Sequence, residues 1–504
     1  MQPKNIGELA EWSMAAVLKT VELKGSGGSN PSLSAKKRLI FQTLFDFSLY
    51  LHTMKAREHF GGRAAVIMAL AGSAIGLGNI WRFPYVVGQN GGAAFVFVYI
   101  LATIFLSLPI FFAESVIGRR SRANCRGALA TLAPGTKWHL FGLLSVITPL
   151  LIVSYYSVVG GWSLDYLYKA ATLSFTGGSG IAGGSFGSFV SSTWEPLIAH
   201  TLFLLICIGI IFGGVRKGIG KVSKIGMPIL FLLIVVIVIY AVSLPGASKG
   251  VDYLLHPDFS KITGKTVLDA IGQSFYSLSL GMGIIITYSS YVQKEENLLV
   301  TGFGTATADL LFAMLAGMAI MPAVFAAGIA PESGPGLIFD TLPYIFSSMA
   351  QQMPVLTAIA AILFFLTVLF AAVTSAVSLL EVGVAYLSEE FKMSRIKAGI
   401  LVFLFAWVLG VICSLSFGPL ADVQIFGLGI FDILDKFCSN ILLIIGGLLC
   451  VIFVGWKMKR ADVYDEFTNG GAKKFNGKIF GSIYFVIRYL APVAVLMVFL
   501  SSVL

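Results

Sequence analysis

Charge is what this chain of 504 residues has least of. Only 12% of its residues are Asp, Glu, Lys or Arg, against roughly 25% in soluble domains. That excludes a soluble assembly of about three or four domains, the usual outcome at such a length. Disorder is excluded by the opposite excess: 40 Phe and a mean hydropathy of +0.87 supply far more apolar surface than a disordered chain carries. Cysteine is scarce too. The five (Cys125, Cys207, Cys413, Cys438 and Cys450) are scattered, mostly in apolar stretches, so they are small packing residues and not a disulfide framework. His52, His59, His139, His200 and His256 show no metal-ligand spacing. No nucleophile–base arrangement stands out, so no enzymatic activity is expected.

What is present is a series of apolar runs. Spans are expected over 63–89, 92–118, 139–170, 196–213, 222–244, 268–292, 299–329, 354–387, 396–416, 428–456 and 479–503. That makes about eleven membrane-crossing helices, each near the length a bilayer requires. The runs are continuous and not alternating, which argues against a barrel. The fold class is therefore an all-α polytopic membrane protein, with the lipid bilayer as its surroundings.

Lys and Arg are concentrated in alternate loops. Arg119, Arg120, Arg122, Arg126 and Lys137 form one group; Arg216, Lys217, Lys221 and Lys224 another; Lys392, Arg395 and Lys397 a third; Lys457, Lys459, Arg460, Lys473, Lys474 and Lys478 a fourth. Of the other set, loops 171–195, 330–353 and 417–427 contain neither residue type, and loop 245–267 carries Lys249, Lys261 and Lys265, partly offset by Asp252 and Asp258. By the positive-inside rule the N-terminus is cytoplasmic, and an odd number of spans puts the C-terminus outside. The net charge of +10 then records cytoplasmic loops, and no nucleic-acid partner is expected. Met1–Thr53 is polar, lacks a signal-peptide core and carries Gly25-Ser26-Gly27-Gly28-Ser29; a translation start at Met54 is expected, the alternative being a disordered tail. Gly178-Ser179-Gly180-Ile181-Ala182-Gly183 has dinucleotide-motif spacing but follows no strand and reads as an external turn.

Glycine interrupts two spans. The first runs Ala71-Gly72-Ser73-Ala74-Ile75-Gly76-Leu77-Gly78-Asn79, and the sixth runs Ser277-Leu278-Ser279-Leu280-Gly281-Met282-Gly283. Glycine weakens a helix by about 1 kcal/mol relative to alanine, and the freed backbone groups must find partners at membrane depth. Small residues also serve close helix packing. Two breaks in corresponding positions of two halves instead mark a transporter binding site, whose carbonyls suit a hard cation and whose half-helix N-termini suit a carboxylate.

The run Gly76-Leu77-Gly78-Asn79-Ile80-Trp81-Arg82-Phe83-Pro84-Tyr85, followed by Asn90-Gly91-Gly92, resembles the first-helix signature of the neurotransmitter:sodium symporters. The resemblance covers the chain from about Arg57 to the last span. Bacterial members are mostly amino-acid transporters, and the family's leucine transporter is the standard example of broken helices in inverted repeats. The resemblance implies the leucine-transporter fold: inverted five-helix repeats over about 63–244 and 268–456 within a core of 54–456, broken helices 1 and 6, then a cytoplasmic loop and helix 11 over 457–504. It also implies co-transported sodium ions and no organic cofactor.

The resemblance further implies the site residues. Sodium site one would take the carbonyl of Ala74 and the side chains of Asn79, Ser277 and Asp309, completed by the substrate carboxylate. Sodium site two would take the carbonyls of Gly72, Ile75 and Ala371 with the hydroxyls of Thr374 and Ser375; these hydroxyls also suit simple back-bonding to their own helix. Asp309 stands where a neutral Asn is often found. An acid at membrane depth marks function by default, a protonated structural acid being the other reading. In animal relatives chloride lies beside this site, with a Ser one turn on. Tyr99, Gln273 and Ser277 fit that pattern, but Ala313 replaces the Ser, so Asp309 is expected to supply the charge and transport to be independent of chloride.

Monoamine carriers of the family place an Asp where this chain has Gly76, so the substrate is expected to bring its own carboxylate. The backbone around Gly76–Gly78 and the hydroxyl of Tyr156 would hold it. Ala74, Ile152, Tyr276, Ser277, Ser279, Met282, Ser375, Ser378 and Leu379 complete the expected substrate-binding set. That set is largely apolar and favours a neutral, hydrophobic or aromatic amino acid. Arg82 with Asp435 would gate the outer side, and Arg57 with Glu389 and Tyr291 the inner side. The expectation is a sodium-coupled amino-acid symporter of the plasma membrane; the alternative is an amino-acid sensor on a transporter scaffold.

Overall fold

The computed structural model describes residues 58–175, 185–328, 338–339, 341–351, 353–472 and 475–503. Arg57, the Met1–Thr53 extension and the Gly178–Gly183 turn lie outside the described residues. Among those described, nine helices are long and apolar enough to cross a membrane, or ten when the bent pair Arg63–Ala74 and Gly78–Gln89 is one span. The remaining expected span is the sixth. Its two pieces, Gly264–Ser277 and Ile284–Ser289, are 14 and 6 residues long, each too short to cross alone. The only strands among the described residues are Gln424–Ile425 and Leu428–Gly429, paired antiparallel in a short hairpin.

Helix boundaries follow local chemistry. Asn297 caps the seventh span (Leu298–Ala326) by accepting from Leu299 and Val300 amides, and Ser394 caps the ninth (Arg395–Leu415) by accepting from Lys397. Pro354 opens the eighth span (Pro354–Glu390), where its missing N–H costs nothing.

Packing follows a five-helix offset. The third span (Trp138–Ala171) packs along the eighth, and the fourth (Trp194–Phe212) along the ninth. The second (Ala93–Ser121) meets both pieces of the sixth and also the seventh, and the seventh meets the first. Elements five spans apart thus meet, as two inverted repeats require. The outcome is an all-α membrane protein with interrupted first and sixth helices, as the sequence led us to expect.

Candidate functional site

The first span bends by 53° at its break. Asn79 compensates the backbone there, because its Oδ1 accepts from the freed amide of Gly76 at 3.1 Å. The Leu77 amide donates to the Tyr156 hydroxyl, 3.2 Å away on the third span. Only glycine fits at position 76: an added Cβ would lie 2.9 Å from Ser375 Oγ and 3.0 Å from the Tyr156 hydroxyl. The break in the first span therefore touches both the third and the eighth spans.

The sixth span unwinds between Ser277 and Ile284. Ser279 adopts a left-handed backbone (φ 54°), which is strained for a residue with a Cβ, and its hydroxyl donates to the Ser73 carbonyl at 2.9 Å. The freed Gly281 amide donates to the buried Glu114 carboxylate at 2.6 Å. Glu114 was not singled out from the sequence, although an acid inside an apolar run is itself a signal.

Three of the expected site-one residues converge between these breaks. Asn79 Nδ2 donates to Asp309 Oδ1 at 2.7 Å and to Ser277 Oγ at 3.0 Å. Ser277 Oγ lies 2.9 and 2.8 Å from the two Asp309 carboxylate oxygens and accepts from the Tyr99 hydroxyl at 3.2 Å. Asp309 is fully buried, and Asn79 and Ser277, which donate to it, are neutral. Gln273 donates to the Gly78 carbonyl at 3.1 Å, while its own Oε1 is buried without a partner. This oxygen-rich, nitrogen-poor environment fits a hard monovalent cation.

At the second expected cation site, the eighth span faces the first. Ser375 donates to the Ser73 carbonyl at 3.4 Å, and a Cβ on Gly72 would lie 3.6 Å from Thr374 Cβ. Thr374 back-bonds to Phe370 and Ala371 carbonyls at 3.1 Å. Its hydroxyl keeps acceptor lone pairs in that arrangement.

Ten residues of the expected substrate set line one cavity: Ala74, Gly76, Gly78, Ile152, Tyr156, Tyr276, Ser279, Met282, Ser375 and Leu379. Two do not. Ser277 serves the Asp309 cluster, and Ser378 donates to the Ser375 carbonyl of its own helix at 2.7 Å. The cavity measures about 20 Å³, little more than the space for one water. Above it, on the face away from the cation-rich loops, lies a vestibule of about 360 Å³ lined by Trp81, Tyr85, Trp162, Phe339 and Phe431 among others. Gly78 and Tyr276 line both spaces.

Arg82 and Asp435 also line the vestibule. Among the described residues Arg82 forms no ion pair; its guanidinium lies over the Tyr276 ring, 4.6 Å from the centroid. The expected outer pair is thus in place but not closed.

The cation-rich end is packed shut. Phe60 lies 5.3 Å from Tyr288 and 5.9 Å from Tyr291, centroid to centroid. Tyr291 donates to Glu381 at 2.7 Å, and Arg395 grips the same carboxylate with two bonds of 3.0 and 2.5 Å. Of the expected inner gate, Arg57 lies outside the described residues, and the two other members make the following bonds. Glu389 accepts from the Asn124 amide and side chain at 2.7 and 3.1 Å, while Tyr291 serves Glu381, about two turns earlier on the same helix. Glu381 is fully buried and needs a cation there; Arg395 supplies it. Sequence reading missed Glu381, again an acid inside an apolar run.

Comparisons with known proteins agree with this architecture. The Uncharacterized sodium-dependent transporter YhdH of Bacillus subtilis is 39% identical over 88% of this chain and 97% of its own length. The sodium-dependent serotonin transporter of Drosophila melanogaster is 25% identical over 90% of this chain and 77% of its own. Among solved structures, MhsT in complex with L-phenylalanine is 42% identical, with a TM-score of 0.81 over 89% of this chain and all of that one. Residues 57–178 and 188–504 match the profile of the Sodium:neurotransmitter symporter family. This multi-pass membrane protein, a transporter and not an enzyme, belongs to that sodium-dependent family.

Proposed function

We propose that the chain imports a neutral, hydrophobic or aromatic amino acid across the plasma membrane, driven by sodium and without a need for chloride. The observation that carries this is the convergence of both helix breaks on one cavity beside the Asn79–Ser277–Asp309 cluster. The cavity has no charged side chain in its lining, so a bound substrate keeps its own charges satisfied by backbone and ion. Its carboxylate would meet the Gly76–Gly78 backbone, the Tyr156 hydroxyl and a sodium ion held by Ala74, Asn79, Ser277 and Asp309. A second ion would lie between Gly72, Ile75, Ala371, Thr374 and Ser375. The carboxylate and the first cation each lower the other's cost of leaving water, which couples their binding. The phenylalanine bound to MhsT supports an apolar substrate, as do Ile152, Met282 and Leu379 in the lining.

The arrangement also supports alternating access. The vestibule is open and the opposite end is sealed by Phe60, Tyr291, Glu381 and Arg395. Closing Arg82 towards Asp435 while parting the Glu381 network would expose the cavity to the other side. With the cation-rich loops cytoplasmic, the vestibule faces outward and the N-terminus inward. Proteoliposomes with an inward sodium gradient test this against a panel of amino acids in chloride and in gluconate. Concentrative, sodium-dependent uptake of an apolar amino acid in both media is expected. Sodium-dependent binding without flux would establish the sensor reading instead, and strict chloride dependence would overturn the role given to Asp309.

A further inference from the structure

Away from the transport path, the tenth span (Ile430–Lys457) and the eleventh (Gly477–Ser502) meet at an unusual contact. Each helix widens to a π-turn there, Phe453–Lys457 on one and Val486–Leu490 on the other. Such turns recur at functional sites. Gly455 lets the backbones touch: a Cβ on it would lie 2.9 Å from Arg488 Cα. Trp456 then donates its indole N–H to the Arg488 carbonyl at 2.9 Å, and Tyr484 donates to the Gly455 carbonyl at 3.1 Å.

Two guanidinium groups flank the contact: Arg460 lies over the Tyr484 ring, 5.5 Å from its centroid, and Arg488 lies on the side of Trp456. Arg488 lies 4.8 Å from the centroid of the Trp456 ring and 5.4 Å from that of Tyr489. Both rings face outward, 58% and 47% exposed. Arg119, Arg120, Arg126 and Arg395 each pair with a carboxylate. Among the described residues Arg488 pairs with none, and its Nε is buried without a hydrogen-bond partner. Contact with two rings holds the guanidinium in place but satisfies none of its N–H groups. A planar fork held this way suits bidentate binding of a phosphate.

We propose that Arg488, framed by Trp456 and Tyr489, binds the phosphodiester of an anionic phospholipid. The lipid source follows from position. Arg488 is level with the end of the tenth span, where Lys457 meets the cation-rich loop, and its flanking rings are exposed to hydrocarbon. A lipid brings acyl chains for those rings, whereas a free phosphate ion would have to give up its hydration. The preference for a net negative headgroup follows from charge. Lys457, Lys459, Arg460 and Lys478 flank the contact in sequence, and the acids of the intervening loop, Asp462, Asp465 and Glu466, are engaged by Arg119 and Arg120. Most of the local positive charge is therefore uncompensated.

Native mass spectrometry of the purified full chain tests this, with phosphatidylglycerol and phosphatidylcholine offered in competition. Preferential retention of phosphatidylglycerol is expected. Arg488→Gln should weaken it about fivefold to tenfold, and Arg488→Lys, which keeps charge but not the stacked fork, should fall between. Thermal melting checks that each variant is folded. If Arg488→Gln does not fold, Tyr489→Leu reads the same site with the charge intact and should also weaken retention. Folded variants that retain phosphatidylglycerol like the parent would overturn the proposal. So would equal retention of phosphatidylcholine, or displacement of the lipid by excess inorganic phosphate.

Discussion

Asp309→Asn separates a working anion from a structural acid. The side chain keeps its size and can still accept from Ser277, 2.8 Å away, so the fold is expected to survive. What disappears is one negative charge in a fully buried position. A unit charge pair at about 4 Å with an effective dielectric of about 20 is worth about 4 kcal/mol. At about 1.4 kcal/mol per tenfold, that corresponds to about a thousandfold in sodium affinity. An amide oxygen at the position of Asp309 Oδ1 still accepts from both Asn79 and Ser277, so the loss of charge is separated from any loss of hydrogen bonds.

The assay needs no knowledge of the substrate. A cation that binds only the folded protein raises its melting temperature by mass action, so melting is followed against sodium with potassium as the control. The parent protein should be stabilised progressively, and Asp309→Asn should require far higher sodium for any shift attributable to this site. If Asp309 were protonated and merely structural, asparagine would mimic it and the sodium titration would be unchanged. An unchanged titration in a folded variant refutes the reasoning, and with it the expectation that transport runs equally in chloride and gluconate.

Three other perturbations probe the rest of the path. Tyr156→Phe removes the hydroxyl that accepts from Leu77 and, under the proposed function, donates to the substrate carboxylate; KM should rise about tenfold with kcat little changed, measured by initial uptake rates. Gly76→Ala places a Cβ 2.9 Å from Ser375 Oγ in a cavity already near its minimum, so equilibrium binding should weaken by about 1–3 kcal/mol. Glu381→Ala strands Arg395 in a largely buried site and should cost about 3–5 kcal/mol in denaturant unfolding, whereas Glu381→Met with Arg395→Met should recover stability; recovery of concentrative uptake as well would show that this pair is not a gate.

The sequence made the architecture legible because the bilayer imposes a length and a composition on every span. The first and sixth helices also announced their breaks, since Gly76, Gly78, Gly281 and Gly283 stand where an apolar helix would otherwise run on. Pairings across the fold were harder to read. Glu381 and Arg395 are fourteen positions apart on consecutive spans, and nothing periodic links them; only the folded turn between the eighth and ninth spans brings them together. Glu114 finds the Gly281 amide for the same reason. The π-turns have no compositional mark, and neither does the distance between Arg82 and Asp435, which depends on the conformation the chain occupies.

Glu114, Asp309 and Glu381, all within spans, bear on where the proposed cation would sit. Glu381 is already neutralised by Arg395 through two bonds, so an added sodium ion would gain little there. Glu114 meets the backbone N–H of Gly281, which holds the unwound segment. Asp309 alone among the three is met by Asn79 and Ser277, next to the carbonyls freed by the first break and beside the cavity. Among the described residues, charge, surplus oxygen ligands and an adjoining space for a carboxylate coincide at that point. Under the proposed function, sodium bound there would draw both broken helices onto one ion, and because the first span packs on the seventh and the sixth on the second, that ion would be felt at both ends of the molecule.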